Sequence, residues 1–177
     1  MRKPIPIETL ERHRGRVVQV MTARLQASNG QVYEHDLVRH PGAAAIVPVD
    51  AAGRVCLVRQ YRLGVDDFLW EIPAGKLDRN EPPDACAVRE LREETGITAA
   101  RWTPLGRYVP APAILTEVIH LYLAEDLEIG ASAPEADEEL ELRWIDLDEA
   151  IDRVANGEID DGKTALALLR ARRRRRL

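Results

Sequence analysis

Cysteine is scarce in this chain. Only Cys56 and Cys86 occur, too few for a disulfide framework or a four-cysteine zinc site, and a reducing, cytoplasmic compartment is the default expectation. Long apolar runs are missing as well. No stretch approaches the roughly 18 uninterrupted apolar residues of a membrane span, and the start, MRKPIPIETLERHRGR, has no apolar run behind its charges, so neither a membrane partner nor a secretory signal is expected. Positive charge is in deficit, the net charge being −5. Phosphate-backbone binding draws on a basic surface, so nucleic acid is not expected as a partner. The exception is the run Arg172, Arg173, Arg174, Arg175 and Arg176, which reads as a solvated tail. His13, His35, His40 and His120 lack metal-ligand spacing and read as structural.

What is present is ample material for one core: 177 residues, 45% of them hydrophobic and 31% charged, without internal repeats or a low-complexity linker. GRVVQVMTARLQ and QVYEHDLVRH flank Asn29-Gly30, the strongest short hairpin signal. AAAIVPVD and RVCLVRQY, separated by Asp50-Ala51-Ala52-Gly53, read as strands buried on both faces. FLWEI is a short strand ended by Pro73-Ala74-Gly75, and Pro82-Pro83 and Gly96 mark the start and stop of a helix. RWTPLGRYV, EVIHLYLA and ELELRWI read as further strands, followed by helices around Leu147 to Ala155 and Lys163 to Arg173. The expected class is α/β: an α/β/α sandwich on a mixed sheet, preceded by an N-terminal β-hairpin. Its parts are N-terminal strands over 1–40, the main domain over 41–170 and a basic tail over 171–177.

The framed helix is dense in carboxylates. Glu90 and Glu94 are spaced i,i+4 and Glu93 lies i,i+3 from Glu90, so all three share one face. Like charges at that spacing repel, and a hard divalent cation such as Mg²⁺, with Mn²⁺ as the alternative ion, relieves the repulsion through oxygen ligands. Ala87, Val88 and Leu91 form an apolar stripe with which the helix docks on the sheet. Arg89 stands i,i+4 from Glu93, and Gly75 lets the chain turn so that the Ala74 carbonyl approaches the metal.

Gly75, Glu81, Arg89, Glu90, Leu91, Glu93, Glu94, Gly96 and Ile97 fit the pattern G-x5-E-x7-R-E-U-x-E-E-x-G-U, with U aliphatic. By residue frequency such a match arises on the order of once in 10⁹ registers. The segment therefore resembles the Nudix box. The resemblance implies metal ligation by Glu90, Glu93, Glu94 and the Ala74 carbonyl, a catalytic part for Glu93, and bracing by Glu81 and Arg89. In the loop PEADEELELRW, Glu138 corresponds to a glutamate that serves relatives as general base or metal holder; a solvated acidic loop is the alternative.

VRQYR, WEIPAGKLD and Pro112 resemble the ADP-ribose pyrophosphatase branch over roughly residues 43–167. That branch implies hydrolysis of ADP-ribose by water to AMP and ribose 5-phosphate, and a homodimer reached through the N-terminal strands. Arg62, and more weakly Arg59, are candidates for a phosphate contact or a rim ion pair; Trp70 stacks on a base or fills core; Glu117 lies in the substrate loop. That loop reads APAILTE over Ala111 to Glu117 where the branch usually reads SPGFTDE, placing Ala113 and Thr116 at a glycine and an aspartate. Another nucleotide sugar, such as GDP-mannose, is the enzymatic alternative, and a non-catalytic ligand-sensing Nudix module is the alternative of another class.

Overall fold

The computed structural model describes residues 2–130 and 140–176. By its internal contacts the chain forms two units, Met1–Gly42 with Val109–Val118, and Ala43–Tyr108 with Ile119–Leu177.

The smaller unit is a three-stranded antiparallel meander: β1 (Ile5–Arg14), β2 (Gln19–Gln26) and β3 (Val32–Arg39), in the order β1-β2-β3. The expected hairpin is β2–β3. Gly30 sits in the turn at φ 85°, a conformation a side chain resists, and its N–H donates to the Ala27 carbonyl at 2.9 Å. Strand β1 has no counterpart in the sequence reading. All ten of its residues are exposed, so no buried face imprints an alternating pattern, and pairing with β2 makes it a strand.

In the larger unit, β4 (Ala43–Pro48), β7 (Ala74–Lys76), β8 (Ile97–Tyr108) and β9 (Ile119–Ile129) form a mixed sheet in the order β7-β4-β9-β8, with β4 and β9 parallel. β5 (Arg54–Arg62), β6 (Asp67–Glu71) and β10 (Glu141–Asp146) form a second, antiparallel sheet in the order β10-β5-β6. The sequence reading places only a break at Pro73-Ala74-Gly75; the structure starts β7 there, because Ala44 and Ala45 of β4 pair with Gly75 and Ala74.

β4 is buried on both faces, and its side chains alternate between two cores. Ala43, Ala45 and Val47 join a cluster containing Leu147 and Ala150 of α2 (Leu147–Ala155) and Ala167, Leu168 and Ala171 of α3 (Gly162–Arg175). Ala44 and Ile46 join a cluster containing Cys86, Ala87 and Leu91 of α1 (Pro83–Thr95). Helices thus cover both faces of the sheet, the expected α/β/α arrangement. Each fully buried Leu or Val contributes about 1.5–3 kcal/mol, and together these residues fix α1 against β4.

Two expectations about the helices are corrected. Val88 is 48% exposed because it sits 100° around the helix from Ala87; Cys86 completes the buried stripe instead. The arginine run is helical rather than a loose tail: α3 extends through Arg175, with Arg172 paired to Asp148 and Arg175 to Glu125. Among the described residues no helix is long and apolar enough to cross a membrane.

Candidate active site

Helix α1 begins at Pro82-Pro83, where a missing N–H costs nothing, and stops at Gly96, whose φ of 70° lets its N–H return to the Arg92 carbonyl at 2.9 Å. Between these limits Glu90 and Glu94 turn inward, 9% and 3% exposed, while Glu93 lies toward solvent. Buried carboxylates need donors, and the site supplies them. Ala74 N–H donates to Glu94 Oε2 at 3.0 Å, tying the start of β7 to the last turn of α1.

Arg89 organises the rest. Its Nε and Nη2 donate to the two oxygens of Glu81, each at 2.9 Å, and its Nη1 donates to Glu90 at 2.6 Å and Glu93 at 3.0 Å. Nη2 also reaches the Lys76 carbonyl at 3.1 Å. Glu81 in turn accepts the Asp78 N–H at 2.9 Å. Hydrogen bonding from Arg89 holds the Glu81 carboxyl at a pKa of about 2, and the same contacts push the Arg89 pKa upward. Gly75 is required for space: a Cβ there would overlap the Glu90 carboxylate. Cys86 donates to the Lys76 carbonyl at 3.4 Å, and burial, followed by the charges of Glu90 and Glu81, pushes its thiol up to about 12.

Among the described residues no three His, Cys, Asp or Glu side chains are gathered closely enough to hold a metal as they stand; Glu90 and Glu93 are ion-paired with Arg89. The donor set nevertheless fits a hard divalent cation. It consists of carboxylate oxygens, two of the three groups are nearly buried, and the room beside Glu90 exists only because residue 75 has no side chain.

A second network adjoins this one; of its members only Arg62 stands out as a candidate in the sequence, and Glu71, Lys163, Asp161 and Thr164 do not. Glu71, 1% exposed, accepts from Arg62 Nε at 2.8 Å, Arg62 Nη2 at 2.6 Å and Lys163 Nζ at 2.5 Å. Lys163 also donates to Asp161 at 3.0 Å, and Asp161 caps α3 by accepting the Thr164 N–H at 3.0 Å. The Thr164 hydroxyl takes the Ile72 N–H at 3.0 Å. Burial pushes the Glu71 pKa up, but Arg62 and Lys163 outweigh it and hold the carboxyl below its ordinary range. The Arg62 pKa is raised by its hydrogen bonds to Glu71 and, against the opposing effect of burial, by the charges of Glu71, Glu94 and Asp161. One sequence signal pointed here: a lone carboxylate inside the apolar strand FLWEI must find cations when buried.

The other candidates take different partners. Arg59 reaches Glu141 at 3.5 Å and lies over the Phe68 ring, its Cζ 5.0 Å from the centroid. Trp70, adjacent to Glu71 and so on the opposite face of β6, lies under the Arg143 guanidinium at 4.3 Å and packs on the core containing α2 and α3. In the smaller unit Glu117 stands 3.3 Å from His40 Nδ1, and the Thr116 hydroxyl accepts the His40 N–H at 2.9 Å. Glu138 lies outside the described residues.

Residues 38–168 match the NUDIX domain. The chain is 35% identical to the ADP-ribose pyrophosphatase of Bacillus subtilis (strain 168), over 87% of this chain and 84% of that protein. It is 34% identical to the GDP-mannose pyrophosphatase of Klebsiella pneumoniae subsp. pneumoniae, over 86% of this chain and 82% of that one. A crystal structure of an ADP compounds hydrolase superposes with a TM-score of 0.86 at 23% identity, covering 99% of this chain and 96% of that chain, which establishes the fold. The box read from the sequence, its assembly around Arg89 and a domain match across most of the chain agree: this protein belongs to the Nudix hydrolase family.

Proposed function

We propose that the protein hydrolyses the pyrophosphate bond of ADP-ribose, giving AMP and ribose 5-phosphate, in a Mg²⁺-dependent reaction. The observation that carries this reading is the adjacency of an acidic helix, set for a cation, to Arg62: the Arg62 guanidinium is held by Glu71, and Ala74, three residues further along, donates its N–H to Glu94 of that helix. A pyrophosphate would use both: carboxylates to hold a divalent cation that would offset its charge, and a guanidinium for its oxygens. The relative named ADP-ribose pyrophosphatase supports the choice of sugar.

In this reading Glu90, Glu93, Glu94 and the Ala74 carbonyl hold the ion. Bound Mg²⁺ supplies positive charge at the phosphoryl oxygens and activates water. Arg89 and Glu81 keep the carboxylates in register, which matters because phosphoryl transfer depends on positioning and electrostatics. Arg62 receives a phosphate and Glu138 is the general base; Arg59 and Trp70 pair on the face of β5 and β6 opposite to Arg62 and Glu71 and so do not share that phosphate position, and Glu117 is a ligand contact of its own loop. A homodimer formed through β1–β3 completes the reading, supported by the exposed apolar side chains Ile5, Ile7 and Leu10. A cytoplasmic location accords with two free, buried cysteines.

GDP-mannose is the second reading. It is favoured by the 34% identity to a GDP-mannose pyrophosphatase and by the APAILTE loop, where Thr116 spends its hydroxyl on the His40 backbone. Product analysis with Mg²⁺ across ADP-ribose, nucleotide sugars, NADH and dinucleoside polyphosphates, beside Glu94→Gln and a chelator control, tests both. AMP release from ADP-ribose, abolished in both controls, is expected. Preferential turnover of GDP-mannose would transfer the assignment, and tight ADP-ribose binding without turnover would make the protein a sensor.

A further inference from the structure

Taking Arg62 as the phosphate-binding residue of the proposed reaction, we infer that Glu71 is its positioning residue: with Lys163 it locks the guanidinium by one edge and presents the other edge to the substrate.

A guanidinium carries five N–H donors in a planar fork. Glu71 takes the Nε–H and one Nη2–H through two parallel bonds, at 2.8 and 2.6 Å. That leaves three N–H groups, two of which form the adjoining edge between Nη1 and Nη2, and no hydrogen bond from Nη1 to protein occurs among the described residues. The Arg62 side chain is 38% exposed, while its anchor is 1% exposed. The cation therefore combines a fixed orientation with a reachable edge, and that edge matches two phosphate oxygens.

Lys163 makes the lock rigid. Its ammonium joins Glu71 Oε2 to Asp161, and Asp161 is held in place as the cap of α3. Thr164, in the same turn, binds the Ile72 N–H. The carboxylate is thus fixed from the helix start and the strand end together, and any swing of Arg62 leaves a buried anion with one partner fewer, an expensive state. An ordinary stabilising ion pair needs only one cation here. The second is what makes the carboxylate a fixed support for Arg62.

The test uses Glu71→Gln, which keeps shape but removes charge, and Glu71→Asp, which keeps the charge and the fold but withdraws the carboxylate by one methylene. The Arg62 Nε–H NMR resonance, assigned by its disappearance in Arg62→Lys, is recorded without substrate. It is expected slow-exchanging in the wild type and lost or rapidly exchanging in both variants. With the substrate that the wild type turns over fastest, KM is expected to rise about tenfold with kcat within about threefold, and Glu71→Gln is expected to add nothing to KM in an Arg62→Ala background. An unmoved resonance, an unchanged KM, or independent effects in the double variant would overturn the proposal; a purely structural Glu71 would lower Tm and leave KM alone. A wild type inactive on ADP-ribose would refute the substrate assignment and leave the resonance to decide the role of Glu71.

Discussion

Arg89 grips Glu81 through two parallel hydrogen bonds, Nε to Oε1 and Nη2 to Oε2, both at 2.9 Å, while its remaining nitrogen bridges Glu90 and Glu93. One guanidinium therefore fastens the loop before α1 to the acidic face of α1. An arginine is needed, since a lysine offers no planar fork with which to hold three carboxylates at once.

This clamp makes stability depend on acid in a defined direction. The folded pKa of Glu81, about 2, lies below its ordinary 4.5, so its stabilisation is fully present above about pH 4.5 and disappears as pH falls through about 2. Arg89→Gln removes the interaction. The Tm difference between wild type and Arg89→Gln, measured from about pH 6 down to about pH 2.5, is expected to shrink across that window. A difference independent of pH would mean that Arg89 stabilises by packing alone.

Gly75→Ala places a methyl group on the Glu90 carboxylate. Overpacking of this kind costs about 1–3 kcal/mol, or roughly 2–4 °C in Tm per kcal/mol for a chain of this size. If Glu90 holds the cation as proposed, turnover is expected to fall by about 100-fold, because displacing such a group by about 1 Å has that effect. A variant with near-normal turnover would show that Glu90 tolerates displacement.

The arginine run contributes to the fold through Arg172–Asp148 and Arg175–Glu125. Deleting residues 172–177 is expected to lower Tm by a few degrees, since partly exposed pairs are worth about 0–1 kcal/mol each. The deficit should narrow in high salt, where such pairs are screened. Equal Tm values for the two proteins at low salt would mean that these contacts contribute nothing.

Both cysteines are buried, and burial holds each thiol near a pKa of about 12. The native protein is expected to leave a thiol reagent unreacted at about pH 8, where a thiol of that pKa has almost no thiolate, and both cysteines should react once the chain is unfolded in denaturant. Fast labelling of the native state at one site would show local opening of the sheet or of α1.

The helix carrying the box was legible because its determinants are local. Proline at the start, glycine at the stop and glutamates three and four apart encode both the helix and its acidic face within 23 residues, and Arg89 meets Glu93 simply by being i,i+4. The Asn29-Gly30 turn and the alternation of β4 between two cores were legible for the same reason. Strand β1 was not, because an exposed strand carries no burial pattern and exists by pairing with β2. The continuation of α3 was hidden too: a block of like charges reads as a solvated tail until Asp148 and Glu125 from other elements neutralise it.

Spacing along a few turns of chain is enough to identify a Nudix domain and to locate the acidic helix. Packing joined Glu71 to Arg62, nine positions away, and to Lys163, 92 positions away. Residues so far apart carry no mutual periodicity. They meet because β6 and the start of α3 pack around one carboxylate, and burying that charge requires the cations that the fold brings to it.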